Sequence, residues 1–124
     1  MTAEQKRDVE HTLRLNKPNE AHHGDCKGAD KQFHDIAKSF GYEITVHPPI
    51  DDKKRAFCKG DYSTAPKEYL ARNKDIVDAC DILIATPKSA AEEVRSGTWS
   101  TIRYAKKTHK RGVIIFPDGK IKTF

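Results

Sequence analysis

Apolar positions recur along this chain with two periods, and the alternation between them predicts its elements. Val9 and Leu13 give a sparse stripe over residues 3–15, a mostly solvated first helix with Thr2 and Gln5 at the spacing of a reciprocal cap. Asn16-Lys17-Pro18-Asn19 breaks it. Residues 20–23, Glu-Ala-His-His, form a strand only where neighbours supply the pairing. Phe33, Ile36, Ala37 and Phe40 then follow at i, i+3, i+4, i+7, an amphipathic helix closed by Gly41. Residues 42–47 alternate and are rich in β-branched side chains, which makes them the next strand. Strand, glycine loop, helix and strand compose a βαβ unit. Residues 48–66 have no period and exceed an ordinary connection, the mark of a binding loop, a lid or a partly disordered segment.

The second half repeats the logic. Leu70, Asn73, Val77 and Cys80 share one face of a helix over residues 67–80, which delivers the chain to Ile82-Leu83-Ile84-Ala85. That run is too short for a helix and does not alternate, so it reads as a buried parallel strand, ended by Thr86-Pro87. After an acidic connection, Ser96-Gly97-Thr98 opens a helix whose inner face carries Trp99, Ile102 and Ala105. Gly112 starts a fourth strand, and Pro117-Asp118-Gly119 turns the chain into an antiparallel edge strand over residues 120–124. The predicted fold is one α/β domain, residues 1–124, with an open, mostly parallel sheet and helices on both faces.

Composition narrows the picture. The hydrophobic fraction is 36% and the charged fraction 33%, so the core is economical and the surface heavily charged. No apolar run approaches the roughly 20 residues that span a bilayer, and the N-terminal residues carry no apolar signal core, so the expected location is the cytoplasm. Three cysteines, Cys26, Cys58 and Cys80, without C-x-x-C spacing, read as thiols rather than a disulfide framework or zinc ribbon. A net charge of +5 favours anionic partners, either phosphate-bearing small molecules or nucleic acid. A homodimer remains open.

In an open α/β sheet, ligands bind outside the carboxyl ends of the strands, where the following helices begin. That edge gathers the unusual residues of this chain: Gly24, Asp25, Gly28 and Asp30 in one loop, Arg72 and Asn73 in the next helix, and Ser96, Gly97 and Thr98 at the last helix start. Helix-start N–H groups, an arginine fork and an aspartate suit a phosphate or ribose phosphate. Glu92 and Glu93 lie near the same crevice as candidates for general acid and base work on a glycosidic bond. His22, His23, Asp25 and Cys26 are all metal-ligand types, but adjacent strand residues point to opposite faces, which sets His22 and His23 apart and argues against a shared ion. No metal and no cofactor is expected.

The H-G-D-C-K-G-A-D loop, the A-R-N-K-D-I-V-D-A-C-D-I-L-I-A-T-P run and the S-G-T-W-S-T-I-R-Y-A helix start together resemble the SLOG superfamily. Its members include small YspA-like proteins of phages and bacteria, the DNA-processing protein A domain and the LOG phosphoribohydrolases. The resemblance covers nearly the whole chain and implies a Rossmann-like domain that binds a nucleotide or nucleotide-derived ligand at the carboxyl edge. It also implies two alternatives, an N-glycoside hydrolase acting on nucleoside monophosphates and a single-stranded DNA binder. Two departures qualify it. LOG hydrolases carry P-G-G-x-G-T-x-x-E, whereas here Thr101 stands where the catalytic glutamate belongs, leaving Glu92 or Glu93 as replacements. Relatives also begin with a strand ahead of the segment that resembles Met1 to Gln5, so the first central strand is expected to be missing here.

Overall fold

The structure, a computed structural model, describes residues 1–16 and 19–124. Its order is α1 (Ala3–Asn16), β1 (Glu20–His23), α2 (Ala29–Ser39), β2 (Glu43–Val46), a 3-10 turn (Asp52–Lys54), β3 (Tyr62–Ser63), α3 (Tyr69–Ala79), β4 (Ile82–Ala85), α4 (Gly97–Lys107), β5 (Arg111–Ile115) and β6 (Ile121–Thr123). The class is α/β, with four helices among the described residues. The break expected at Lys17-Pro18 lies outside them.

The expected cap of α1 is formed: Gln5 N–H donates to Thr2 Oγ1 at 3.1 Å, and Thr2 N–H donates to Gln5 Oε1 at 2.9 Å. Ser96 caps α4, its Oγ accepting from Trp99 N–H at 3.3 Å. The aperiodic segment 48–66 holds a two-residue strand that its sequence does not announce. It is fixed by Asp61, whose N–H donates to Ile44 O while its carboxylate accepts from Ile44 N–H, both at 2.8 Å.

The strands form two three-stranded sheets rather than one continuous sheet. β1, β2 and β3 are parallel in that order; β4 and β5 are parallel, with β6 antiparallel on the far side. The alternation of side chains across each strand then sorts the core. Ala21, Ile44 and Val46 point to the layer of α1 and α2, packing with Val9, Leu13, Ala37 and Tyr42. Leu83, Ala85 and Ile114 pack with Val77 of α3 and Trp99, Ile102 and Ala105 of α4. Ile115 of the second sheet belongs to the first cluster, with Ile84 and Val113 packed against it, so α1 joins the two sheets.

The face of α3 differs from its expected stripe. Arg72 and Val77 are its buried residues, while Leu70 is exposed. Arg72 takes the inner position because its guanidinium meets backbone carbonyls contributed from elsewhere in the chain, which no periodicity within α3 encodes.

Candidate functional site

Between the edges of β1 and β4 runs a cleft of about 640 Å³. It runs the length of those strands, and its mouth is the end that reaches their carboxyl ends, where α2, α3 and α4 begin. Of the residues singled out in the sequence, Asp30, Arg72, Asn73, Gly97 and Thr98 line this cleft. Gly24, Asp25, Gly28 and Ser96 do not, although the Gly24 carbonyl accepts from Arg72 and Ser96 caps α4.

Arg72 is only 3% exposed. Its Nη1 donates to Gly24 O and to His47 O, the latter at 3.2 Å, so it ties the ends of β1 and β2 together. Its Nε donates to Asn73 Oδ1 at 2.8 Å, and the guanidinium lies 5.0 Å from the ring of Tyr69. Gly24 is required at this crossing. A Cβ there would sit 2.6 Å from Arg72 Nη1 and 3.1 Å from Asp30 Oδ2.

Asp30, in the first turn of α2, accepts from Cys26 N–H at 3.0 Å. Burial raises its pKa above the usual aspartate range, against the opposing pull of that N–H and of Arg72. Asp25 is wholly buried, with φ of 56°, a conformation that asparagine and aspartate tolerate better than most. Its carboxylate accepts from Arg55 Nε and from Cys58 N–H, both at 2.8 Å, and its carbonyl accepts from Ala56 N–H. Burial opposes ionisation there, but these donors win and hold its pKa below the ordinary value. Asp25 therefore pins the segment 48–66 over the carboxyl edge.

At α4, Gly97 and Thr98 occupy the first turn, whose N–H groups have no acceptor within the helix. Tyr69 packs directly on Gly97, where a Cβ would overlap the phenol. Tyr69, Cys26, Lys27, Thr86, Lys88 and Thr101 also border the cleft and were not among the ligand-binding residues expected from the sequence. Tyr69 carried the one usable signal, since it stands at the start of the helix that bears Arg72 and Asn73.

Glu92 and Glu93 are not among the residues lining the cleft. Glu92 pairs with Arg103 at 2.8 Å on the exposed face, and the Glu93 carbonyl accepts from the same arginine.

The histidines divide as strand geometry requires. His22 Nδ1 meets His47 Nε2 at 2.9 Å on one side of the sheet, and His23 Nε2 meets His34 Nδ1 at 3.0 Å on the other. His23, His34 and Cys58 have ligand atoms within 4.8 Å of one another, a grouping that suits a metal by residue type. Protonation speaks against it. Asp25 N–H donates to His23 Nδ1 at 3.0 Å, so the neutral ring carries its proton on Nε2 and donates it to His34. A metal at that nitrogen would have to displace the proton. Burial, reinforced by Asp25, pushes the Cys58 thiol up to about 11 in the metal-free protein.

No protein-family model, no curated protein and no solved structure matches this chain.

Proposed function

We propose that the chain binds a nucleotide, or a small ligand derived from one, across the mouth of the cleft, as its resemblance to the SLOG superfamily implies. In this reading the two sheets are halves of one Rossmann-like sheet, and the cleft takes the place of a central strand. One observation carries the reading: Asp30 and Thr98, from the first turns of α2 and α4, and Asn73, from the second turn of α3, line the same cleft. The first-turn N–H groups of α4 suit a phosphate, and the helix dipole favours its charge. Asp30 suits ribose hydroxyls. The ring of Tyr69, 41% exposed beside Arg72, offers a face to a base. Lys27 and Lys88 bring positive charge to the rim. Arg72 acts chiefly as the clamp that shapes the mouth, since its Nη1 is committed to two carbonyls. With Glu92 and Glu93 away from the cleft, binding without turnover is the function this arrangement supports best.

A thermal-shift panel of nucleoside monophosphates, dinucleotides, ADP-ribose and cyclic nucleotides tests it. One ligand class should raise Tm, because at a hundredfold excess over Kd a ligand that binds only the folded state adds about 2.7 kcal/mol. Thr98→Glu is the discriminating variant. A carboxylate in the first turn favours the helix but repels a phosphate, so the protein should melt no lower while affinity falls at least tenfold. A panel without any shift, or a shift untouched by Thr98→Glu, overturns the proposal.

A further inference from the structure

Arg72 is buried, yet among the described residues no carboxylate pairs with it. Its Nε and Nη1 have oxygen acceptors, Asn73 Oδ1 for the first and the Gly24 and His47 carbonyls for the second. Nη2 donates to one atom alone, the sulfur of Cys26, 3.8 Å away, and Nη1 lies 3.9 Å from the same sulfur. A charge taken out of water without a counter-ion costs free energy, and so does a donor without a strong acceptor. Asp30 does not supply the missing charge, because its carboxylate is taken up by Cys26 N–H and burial disfavours its ionised form.

The three cysteines differ in what they face. The Cys58 thiol is hydrogen-bonded to the Asp25 carboxylate, and Cys80 Sγ donates to Val77 O at 3.4 Å, so both meet oxygen acceptors. Cys26 Sγ instead meets a cation. It is half-buried and lines the cleft, whose volume of about 640 Å³ admits a molecule as small as hydrogen peroxide. Burial and then Asp30 raise the Cys26 pKa, with Arg72 pulling the other way, so the reduced sulfur is uncharged at neutral pH and gives the guanidinium no counter-ion. An oxygen added to the sulfur changes this. It is a stronger acceptor than sulfur, it extends into the 3.8 Å gap toward the about 2.7–3.2 Å of an ordinary hydrogen bond, and its anion is favoured beside a guanidinium.

We infer that Cys26 is an oxidation site, at which hydrogen peroxide converts the thiol to a sulfenate held by Arg72 Nη2. The small thiolate fraction attacks one peroxide oxygen. The S–O bond forms as the O–O bond breaks, the sulfur gives two electrons to the peroxide, and the departing hydroxide leaves as water with the proton that the thiol released. The sulfenic acid then loses its own proton to solvent as its oxygen accepts from Nη2. Arg72 acts on the product rather than on the rate of attack, so the signature is a sulfenate that accumulates and strengthens the fold, and that a reducing thiol removes. This chemistry needs no ligand in the cleft, and it stands or falls separately from the function proposed above.

The test treats the intact, reduced chain with hydrogen peroxide, traps sulfenic acid with dimedone and locates the adduct by peptide mass spectrometry. The expected result is an adduct at Cys26 ahead of Cys58 and Cys80. Without the trap, the oxidised protein should melt about 3 °C or more above the reduced one, because a buried cation has gained its counter-ion, and a reducing thiol should reverse the rise. Cys26→Ser should show no rise on the same treatment. Cys26→Asp sets a carboxylate near the place of the sulfenate oxygen, and it should melt above Cys26→Asn, its uncharged counterpart. Labelling of Cys58 or Cys80 first, a disulfide from Cys26 to either of them, an oxidised protein that melts no higher than the reduced one, or Cys26→Asp melting no higher than Cys26→Asn overturns the proposal.

Discussion

His23 and His47 are only 3% and 5% exposed, and each is held neutral with its pKa at about 4. For both, burial is the first cause, followed by the neighbouring histidine, His34 or His22. In the unfolded chain each returns to about 6.5. Between pH 6.5 and 4 the unfolded state therefore binds more protons, and stability rises with pH through that window. The contribution is fully present above pH 6.5 and lost as pH falls toward 4, with a ceiling on the order of 3 kcal/mol per histidine. Urea midpoints measured at half-unit steps should fall steeply from pH 6.5 to 4, and His47→Asn should flatten part of that slope. A profile flat to pH 4.5 contradicts the burial of neutral rings. Some of this was legible in the sequence: adjacent strand residues point apart, and the structure duly gives His22 and His23 different partners. The partners themselves were not, because His34 and His47 come from α2 and the segment after β2. Asp25 and Arg72 were visible as unusual residues near one edge, yet their bonds to Arg55 and to Gly24 O join positions that no local pattern connects.

A single glutamine shows how an element is both capped and anchored. Gln5 closes the reciprocal cap of α1, which the Thr2 to Gln5 spacing announces, and its buried Nε2 also donates to Pro87 O and Ile115 O, each at 2.9 Å. Those carbonyls lie two residues past β4 and at the end of β5, so the cap carries α1 onto the second sheet. Gln5→Glu separates the two roles. A glutamate still accepts from Thr2 N–H and favours the helix start, but it offers no donor to the carbonyls and sets a negative oxygen against them. The variant should lose about 1–3 kcal/mol in urea denaturation, the cost of buried acceptors left without donors. A neutral result would mean that the capping role is the whole of its contribution. Elements long enough to show a period, α1, α2 and α4, were readable from the chain. β3 was not, because two residues cannot display alternation, and the face of α3 was misjudged because a buried arginine breaks the rule that apolar residues mark the inside.

At the scale of the molecule, periodicity names strands without naming their neighbours, so a break in the sheet between β1 and β4 leaves no trace in the hydrophobic pattern. What holds the halves together is equally nonlocal. Val9 is 1% exposed in a cluster that draws Ala21 from the first sheet and Ile115 from the second, and Arg72 of α3 donates to Gly24 O and His47 O at the ends of β1 and β2. Two sheets joined through α1 and through the Arg72 clamp of α3 can unfold as one unit or as two, and the only tryptophan decides which. Trp99 packs in the other cluster, with Val77 and Ile102, so its fluorescence reports the second half alone, whereas far-ultraviolet circular dichroism reports the whole chain. Val9→Ala removes methyl groups from the first cluster and should cost about 2 kcal/mol. If α1 makes the halves one cooperative unit, the Trp99 transition moves to lower urea by the same amount as the circular dichroism transition, although Val9 is no part of the tryptophan's cluster. If the halves are independent, the Trp99 midpoint stays where it was and the dichroism curve broadens, because then the first sheet melts ahead of the second.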